Sequence, residues 1–163
     1  MSIVLKGENK TVDTVPEQIL FYGGEFGYGF SNFAAFNVEW KDRVWQTSEH
    51  AFQAAAFDEE EVVEAIFSAR SAHDALMLAI EHQSKMRAGW EEEMVTVMKD
   101  ICRHKLQQHP YLKRKLKESA DAELVEDSPK DAVWGRGADW KGRNELGKIW
   151  MELREEMETE IKL

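Results

Sequence analysis

The carboxyl group best placed for chemistry in this sequence is that of Glu49. Thr47 or Ser48 can act as the N-cap of a helix that runs to about residue 57, so Glu49 falls in the first turn of that helix. There the free backbone N–H groups and the helix dipole favour a carboxylate by about 0.3–1 kcal/mol. A purely structural role would therefore explain Glu49 as well as a chemical one does.

Helical spacing gives Glu49 a second interpretation. Phe52, Gln53 and Ala56 lie three, four and seven positions after it and share its helix face. A carboxylate beside a phenylalanine and small alanines is partly desolvated. Such a group can act as a general base or can stabilise a developing positive charge.

A glycine-rich segment near the C-terminus is the second candidate for chemistry. Gly135 and Gly137 allow tight turns and a close approach of the backbone to a ligand, and Trp134 offers a face on which a ring can stack. Taken alone, the segment fits a structural turn around a core tryptophan equally well. It matches neither a P-loop nor a dinucleotide fingerprint. The start of the last helix could hold a phosphate, together with Arg136, Lys141 and Arg143.

Other polar residues carry weaker signals. Cys102 and His104 point about 200° apart on a helix, and Pro110 follows His109, so these residues do not predict a metal site. Cys102 on an apolar helix is typical of a core residue. Asn32, which lies between two phenylalanines, could orient a ligand but fits a simple turn. The sequence predicts neither a metal nor a cofactor.

Charge and composition limit the classes of partner. The 163 residues carry a net charge of −10, which argues against broad binding of nucleic acid. Residues 134–154 hold five basic and three acidic side chains, a local excess that suits a small anionic ligand. Nucleic acid is therefore expected only as a modified substrate. A single cysteine and the lack of any long apolar run predict a cytoplasmic protein without a membrane partner.

The elements that must position these residues predict an α+β fold, a helix-dominated single domain with a small β-hairpin or sheet. Residues 1–17 form a polar N-terminal leader and residues 18–163 the domain. Alternating apolar residues predict strands at 19–22 and 123–126 and a hairpin at 36–45. Helical periodicity and capping residues predict helices at 47–57, 59–67, 72–81, 89–108, 111–118 and 144–160.

Taken together, the segments resemble the NADAR, or YbiA-like, family. The matches run in family order from about residue 20 to residue 154, and the ordered set is more specific than any single piece. The matching residues include Phe21-Tyr22, Phe30-Ser31-Asn32-Phe33, Trp45, Thr47, Glu49-His50, Phe52-Gln53-Ala54, Arg87, Trp90, Met98, Lys105, Leu124, Glu126, Asp131, Trp134-Gly135, Gly137, Asn144, Leu146-Gly147-Lys148, Met151 and Arg154.

The resemblance implies hydrolysis of an N-glycosidic bond. Family members are associated with phosphorylated ribosyl pyrimidines of the riboflavin pathway or with ADP-ribose adducts, including those on guanine. By position, Glu49 would be the catalytic carboxylate. The residues that would line or complete the substrate pocket are Asn32, Trp90, Asp131, Trp134, Gly135 and Arg136.

Three departures from the family pattern leave alternatives open. Typical members carry a lysine near position 56, where this chain has Ala56. The family lysine after the tryptophan segment is replaced by acidic residues 91–93, and a family Gly-Arg pair by residues 81–83. A non-catalytic module that binds ADP-ribose or a nucleotide is therefore the main alternative to a glycosidase. A protein-interaction domain that uses the acidic helices is the weakest one.

Overall fold

The computed structural model of the protein describes residues 16–22 and 26–161. The leader expected over residues 1–17 lies almost entirely outside the described residues. Within them the chain is dominated by helices and has two small sheets, so the predicted fold class is confirmed. The strands are β1 (Gln18–Phe21), β2 (Val38–Trp40), β3 (Arg43–Trp45) and β4 (Glu123–Glu126).

The helices begin and end within a few residues of the predicted bounds. Short 3₁₀ turns at Tyr28–Phe30 and Gln83–Lys85 were not predicted. The helices are α1 (Ser48–Ala55), α2 (Glu60–Phe67), α3 (Ala72–Glu81), α4 (Trp90–Gln108), α5 (Pro110–Glu118) and α6 (Glu145–Ile161). No helix in the described part of the chain has the length and apolar character needed to cross a bilayer.

The predicted hairpin is formed by the antiparallel strands β2 and β3. Val38 pairs with Trp45, and the two turn residues, Lys41 and Asp42, both have positive φ angles of 49° and 63°. This geometry matches the two-residue turns that fit the twist of a hairpin. The hairpin leads directly into α1 and so fixes where that helix starts.

A second sheet pairs β1 with β4 in parallel, with Phe21 opposite Glu126. The sequence predicted both strands but not their pairing, because more than 100 residues separate them. α6 packs on β4, and its Trp150 is fully buried. The indole N–H of Trp150 donates to the carbonyl of Phe30 at 3.0 Å. The carboxyl ends of β1 and β4 therefore meet at one edge, beside the core.

Candidate active site

Thr47 is the N-cap of α1, as the sequence allowed, and its hydroxyl accepts the N–H of His50 at 3.2 Å. Glu49 in the first turn is 6% exposed and therefore does not point into open solvent. Its Oε1 accepts a hydrogen bond from the Gln53 side chain at 2.7 Å. Glu49 and Gln53 thus share one face of α1, as their spacing predicted.

The environment of Glu49 favours its protonated form. Burial raises the pKa of Glu49 to about 7, and the nearby charge of Asp131 adds to this effect. The hydrogen bond from Gln53 acts in the opposite direction. A carboxyl group with a pKa near neutrality can accept or donate a proton under physiological conditions, which is a common property of catalytic acids and bases.

Asn32 supports the start of α1. Its backbone carbonyl accepts the N–H of Glu49 at 3.2 Å, and its side-chain oxygen accepts the hydroxyl of Ser48 at 2.9 Å. The same hydroxyl accepts a hydrogen bond from Lys105 at 3.3 Å. Lys105 is fully buried and also donates to the carbonyl of Ser31 at 3.1 Å. This network fixes the backbone from which Glu49 projects. Lys105 matches the family pattern, but the sequence predicted no role for it.

Three aromatic rings, from α1, from α4 and from the glycine-rich loop, pack together and form an aromatic wall. Phe52 lies between Trp90 and Trp134, with both ring centres 5.2 Å from its own. Trp90 is buried at the first turn of α4, whereas Trp134 is only half-buried. Trp134 is therefore the ring of this wall that offers the most free surface.

Asp131 sets the conformation of the loop that carries Trp134. Its Oδ1 accepts the backbone N–H groups of Val133 and Trp134 at 2.9 and 2.8 Å. Side-chain turns of this kind are typical of aspartate. The ring of Trp134 contacts Phe52 of α1, with the ring centres 5.2 Å apart, so this loop and α1 lie together. The structure thus places the loop of Asp131 and Trp134 beside the helix that carries Glu49, and Trp90 contacts the same Phe52.

Gly135 and Arg136 have structural partners in this loop. A Cβ on Gly135 would lie 3.0 Å from the carbonyl oxygen of Glu126, so only glycine fits without movement. Arg136 forms an ion pair with Asp127, and its guanidinium lies 3.9 Å from the centre of the Trp140 ring. The charge of Arg136 is therefore balanced within the protein, and its contact with substrate stays a prediction.

The basic residues of segment 134–154 do not form one continuous surface. Arg143 is paired with Glu145, and Arg154 is buried against the hydroxyl of Ser119 and the carbonyl of Ala122, each at 2.9 Å. Arg154 therefore has a structural role and adds nothing to a local basic surface. A phosphate contact with Arg136, Lys141 and Arg143 at the start of α6 stays a prediction.

Another cation lies near the aromatic wall. Ala56, where the family lysine is missing, is fully buried, and its carbonyl accepts the N–H of Arg87 at 2.8 Å. The guanidinium of Arg87 lies 5.0 Å from the centre of the Trp90 ring and is paired with Glu93. Arg87 therefore places a positive charge beside Trp90, from a chain position different from that of the missing family lysine.

Glu126 is a titratable group of this region that sequence reasoning missed. It is the last residue of β4, and burial raises its pKa to about 8, with further increases from the charges of Asp131 and Glu49. The signal was present in the strand pattern, since Glu126 lies two residues after the fully buried Leu124 and shares its face. An acidic residue on the buried face of a strand is uncommon.

Within the described residues no cluster of histidine, cysteine and acidic side chains could hold a metal ion. Cys102 is buried in the core as predicted. Fold and site together describe an α+β domain in which carboxyl groups of raised pKa lie beside an aromatic wall. That arrangement is typical of an enzyme active site.

Comparison with known proteins identifies the family. The NADAR domain model matches residues 20–158, and the chain belongs to this family. N-glycosidase YbiA of Escherichia coli is 40% identical over 143 residues, which cover 87% of this chain and 89% of that protein. The NMR structure of E. coli YbiA superposes with a TM-score of 0.81 at 38% identity, covering 90% of this chain and 89% of that one.

Two further relatives extend this comparison. An N-glycosidase of Nostoc punctiforme is 32% identical over 149 residues, covering 89% of this chain and 96% of that protein. A riboflavin biosynthesis protein of Vibrio vulnificus is 39% identical over 87% of this chain, but the chain spans only 39% of its length. The prediction of a hydrolase of the N-glycosidase class is confirmed by these relatives.

Proposed function

We propose that the protein hydrolyses the N-ribosidic bond of a small phosphorylated ribosyl heterocycle or of an ADP-ribose adduct, with Glu49 as the catalytic carboxylate. The observation that carries the proposal is the position of Glu49. It is a buried carboxyl group with a pKa of about 7, fixed by Gln53 and adjacent to the loop of Trp134. N-glycosidases among the relatives support the reaction class.

The chemistry of bond cleavage fits this environment. As the bond between the ribose and the base breaks, the ribose ring gains oxocarbenium character and thus positive charge. A carboxylate near the anomeric carbon stabilises that charge and can accept a proton from the attacking water. The burial of Glu49 strengthens this electrostatic effect.

The aromatic wall supplies a surface for the base. The half-buried face of Trp134 can stack on a heterocycle, while Asp131 keeps the loop in place through its two backbone hydrogen bonds. Carboxyl groups dominate the immediate surroundings of Glu49, so the phosphate must bind away from it. Arg87, whose guanidinium lies 5.0 Å from the centre of the Trp90 ring, is the cation proposed for this contact. The phosphate would compete there with the Glu93 carboxylate that now pairs with Arg87.

Base release tests the proposal. The protein is incubated separately with ribosylaminopyrimidine phosphate and with ADP-ribosylated guanosine, and the freed base is followed by chromatography. We expect release from one of the two, and its loss by a factor of about 10² or more in Glu49→Gln. Unchanged release by Glu49→Gln would overturn the role of Glu49. Tight binding of ADP-ribose without turnover of either compound would instead favour a binding module.

A further inference from the structure

Glu126 lies where ligands often meet parallel strands. It ends β4, which pairs in parallel with β1, and the backbone N–H of Asp127 continues the contact by donating to the carbonyl of Phe21 at 3.0 Å. The carboxyl ends of parallel strands are frequent positions of binding and catalytic groups, because no side chain of the sheet itself covers them.

The backbone of Glu126 is held on both sides. Its N–H donates to the side-chain oxygen of Asn144 at 3.0 Å, and its carbonyl accepts the N–H of Arg136 at 3.1 Å. Gly135 packs closely against that same carbonyl. The backbone position of Glu126 is thus fixed relative to the loop that carries Trp134.

The carboxyl group itself has an unusual environment. Oε2 of Glu126 is buried, and in the described part of the chain it has no hydrogen-bond partner. A buried polar atom without a partner costs about 1–3 kcal/mol and calls for an explanation. Glu49 and Asp131 lie close enough for their charges to raise the pKa of Glu126, which burial has already raised to about 8. Near neutral pH the group therefore holds a proton, and its Oε2 has no hydrogen-bond partner in the described residues to fix where that proton points.

We propose that Glu126 is a second catalytic residue of this site, the acid that protonates the departing base. This proposal rests on the glycosidase function proposed above. The two carboxyl groups then divide the work, as pairs of acids with different environments do in many glycosidases. Glu49 acts in its ionised form, and Glu126 acts in its neutral form.

The steps balance with one water molecule. The bond between C1′ of the ribose and the base nitrogen breaks, its electron pair passes to the base, and the base takes the proton of Glu126. Water adds to C1′ and gives a proton to Glu49. Transfer of that proton from Glu49 to Glu126, directly or through solvent, restores both groups. The products are the free base and the ribose with a hydroxyl at C1′.

The other titratable groups near β4 are in ion pairs or are buried in a neutral form, so they act less on Glu126. Asp127 and Arg136 form an ion pair with each other, and Glu145, in the first turn of the adjacent α6, is paired with Arg143. From α4 the thiol of Cys102 faces this region, and burial raises its pKa to about 12, so it stays neutral. Glu49 and Asp131 are thus the charges that act on Glu126 most directly.

Leaving-group dependence separates this role from a structural one. Two substrates that share ribose 5-phosphate are compared: the ribosylaminopyrimidine, whose base must gain a proton, and 4-nitrophenyl riboside 5-phosphate, whose phenolate departs without one. We expect Glu126→Gln to lose kcat on the first by a factor of about 10²–10⁴, as removal of a general acid typically does, and to keep kcat on the second within about fivefold. Equal losses on both, or no loss on the first, would overturn the proposal.

Several controls keep the result interpretable. Glu123→Gln changes an exposed acid on the same strand, whose carboxylate accepts from Gln18 at 3.2 Å, and should leave both rates unchanged. Glu49→Gln should lose activity on both substrates. Wild-type protein that cleaves neither of these compounds nor ADP-ribosylated guanosine would contradict the proposed function itself rather than the role of Glu126.

The wild-type protein gives a test that needs no variant. Activity on the ribosylaminopyrimidine should fall as the pH rises through about 8, where Glu126 loses its proton. Activity on the nitrophenyl compound should not show this fall. The same descending limb on both substrates would contradict the assignment of Glu126 as the acid, even if Glu126→Gln failed to fold.

Discussion

At the scale of single residues, the charge state of Glu49 is set by opposing influences. Burial raises its pKa, and the hydrogen bond from Gln53 to Oε1 lowers it. The amide of Gln53 therefore stabilises the ionised form that the proposed reaction requires. If Glu49 must be ionised, activity should increase as the pH rises through about 7.

Replacement of Gln53 tests this balance. In Gln53→Met, which keeps most of the side-chain volume, the stabilising hydrogen bond is lost and the pKa of Glu49 should rise. We expect the ascending limb of the pH–rate profile to move to higher pH, with the descending limb unchanged. The profile of kcat between pH 5 and 9 measures both limbs. An ascending limb at its wild-type position would show that it does not report on Glu49.

Trp134 allows a second prediction at this scale. Stacking of a base on an aromatic side chain is worth about 1–3 kcal/mol, so Trp134→Ala should raise KM by roughly tenfold or more. Trp134→Phe keeps an aromatic face and the edge contact with Phe52, and should recover much of the binding. Steady-state kinetics separates KM from kcat. Equal KM values for wild type and Trp134→Ala would exclude a stacking role.

At the scale of secondary structure, the contact of α6 with β4 supports the proposed site. A Cβ on Gly147 would lie 2.1 Å from the carbonyl oxygen of Leu124, which is a backbone atom and cannot rotate away. Gly147 thus allows α6 to approach the strand that ends in Glu126.

We therefore expect Gly147→Ala to be destabilising. The added methyl group must push α6 from β4, and overpacking of this kind typically costs about 1–3 kcal/mol, although alanine is the better helix former. Urea unfolding followed by circular dichroism measures the change. Glu158→Ala, at an exposed position of the same helix, should stay within about 0.5 kcal/mol of wild type. A Gly147→Ala variant as stable as this control would contradict the packing argument.

Local signals explain which elements the sequence could predict. The hairpin and α1 follow from alternation, from the turn at residues 41–42 and from the N-cap Thr47, all of which act over a few residues. The parallel pairing of β1 with β4 is a contact between distant segments, and no short pattern encodes it. The proximity of Glu49 to Glu126 depends on that pairing, so the helix-start carboxyl group was found and its neighbour was missed.

The same distinction applies to the cations. Three arginines that are close in sequence lie in different environments. Arg136 is paired with Asp127, Arg143 forms an exposed ion pair with Glu145, and Arg154 is buried in the interior. Net charge over a segment predicts local potential only when the side chains share one surface. Segment 134–154 does not meet that condition.

At the scale of the whole molecule, buried acids change how stability depends on pH. The folded protein holds protons on Glu49 and Glu126 more tightly than the unfolded chain does, because their pKa values are raised from 4.5 to about 7 and about 8. The stability linked to these groups is full below pH 4.5 and is lost as the pH rises through the folded-state values. Stability should therefore decrease between pH 5 and pH 8.

Other shifted groups act outside this range or at its upper end. Glu64 and Glu156 have lowered pKa values, because hydrogen bonds from arginine favour their ionised forms, so their contribution is lost only as the pH falls below about 4.5. The pKa of the buried Lys105 is lowered from 10.5 to about 8, and that of Cys102 is raised from 9.0. Cys102 influences stability only above about pH 9. Lys105 starts to lose its proton in the folded protein as the pH approaches 8, and there it opposes the loss of stability from the acids. Between pH 5 and pH 7 the two acids are therefore the shifted groups that act, and comparison with a variant of both acids removes the contribution of Lys105 near pH 8.

The double variant Glu49→Gln/Glu126→Gln should remove this dependence. Glutamine cannot ionise, so the variant loses the penalty of placing two negative charges in a dry environment beside Asp131. We expect wild type to lose roughly 6 kcal/mol between pH 5 and pH 8, and the double variant to lose much less. Over this range each acid contributes about two to two and a half times the ~1.4 kcal/mol that one pKa unit is worth. At pH 8 the inactive variant should be the more stable protein. Urea unfolding at both pH values measures the change in stability, and the exposed Glu123→Gln is the control. An equal loss of stability in wild type and in the double variant would contradict the inferred burial of charge at the site.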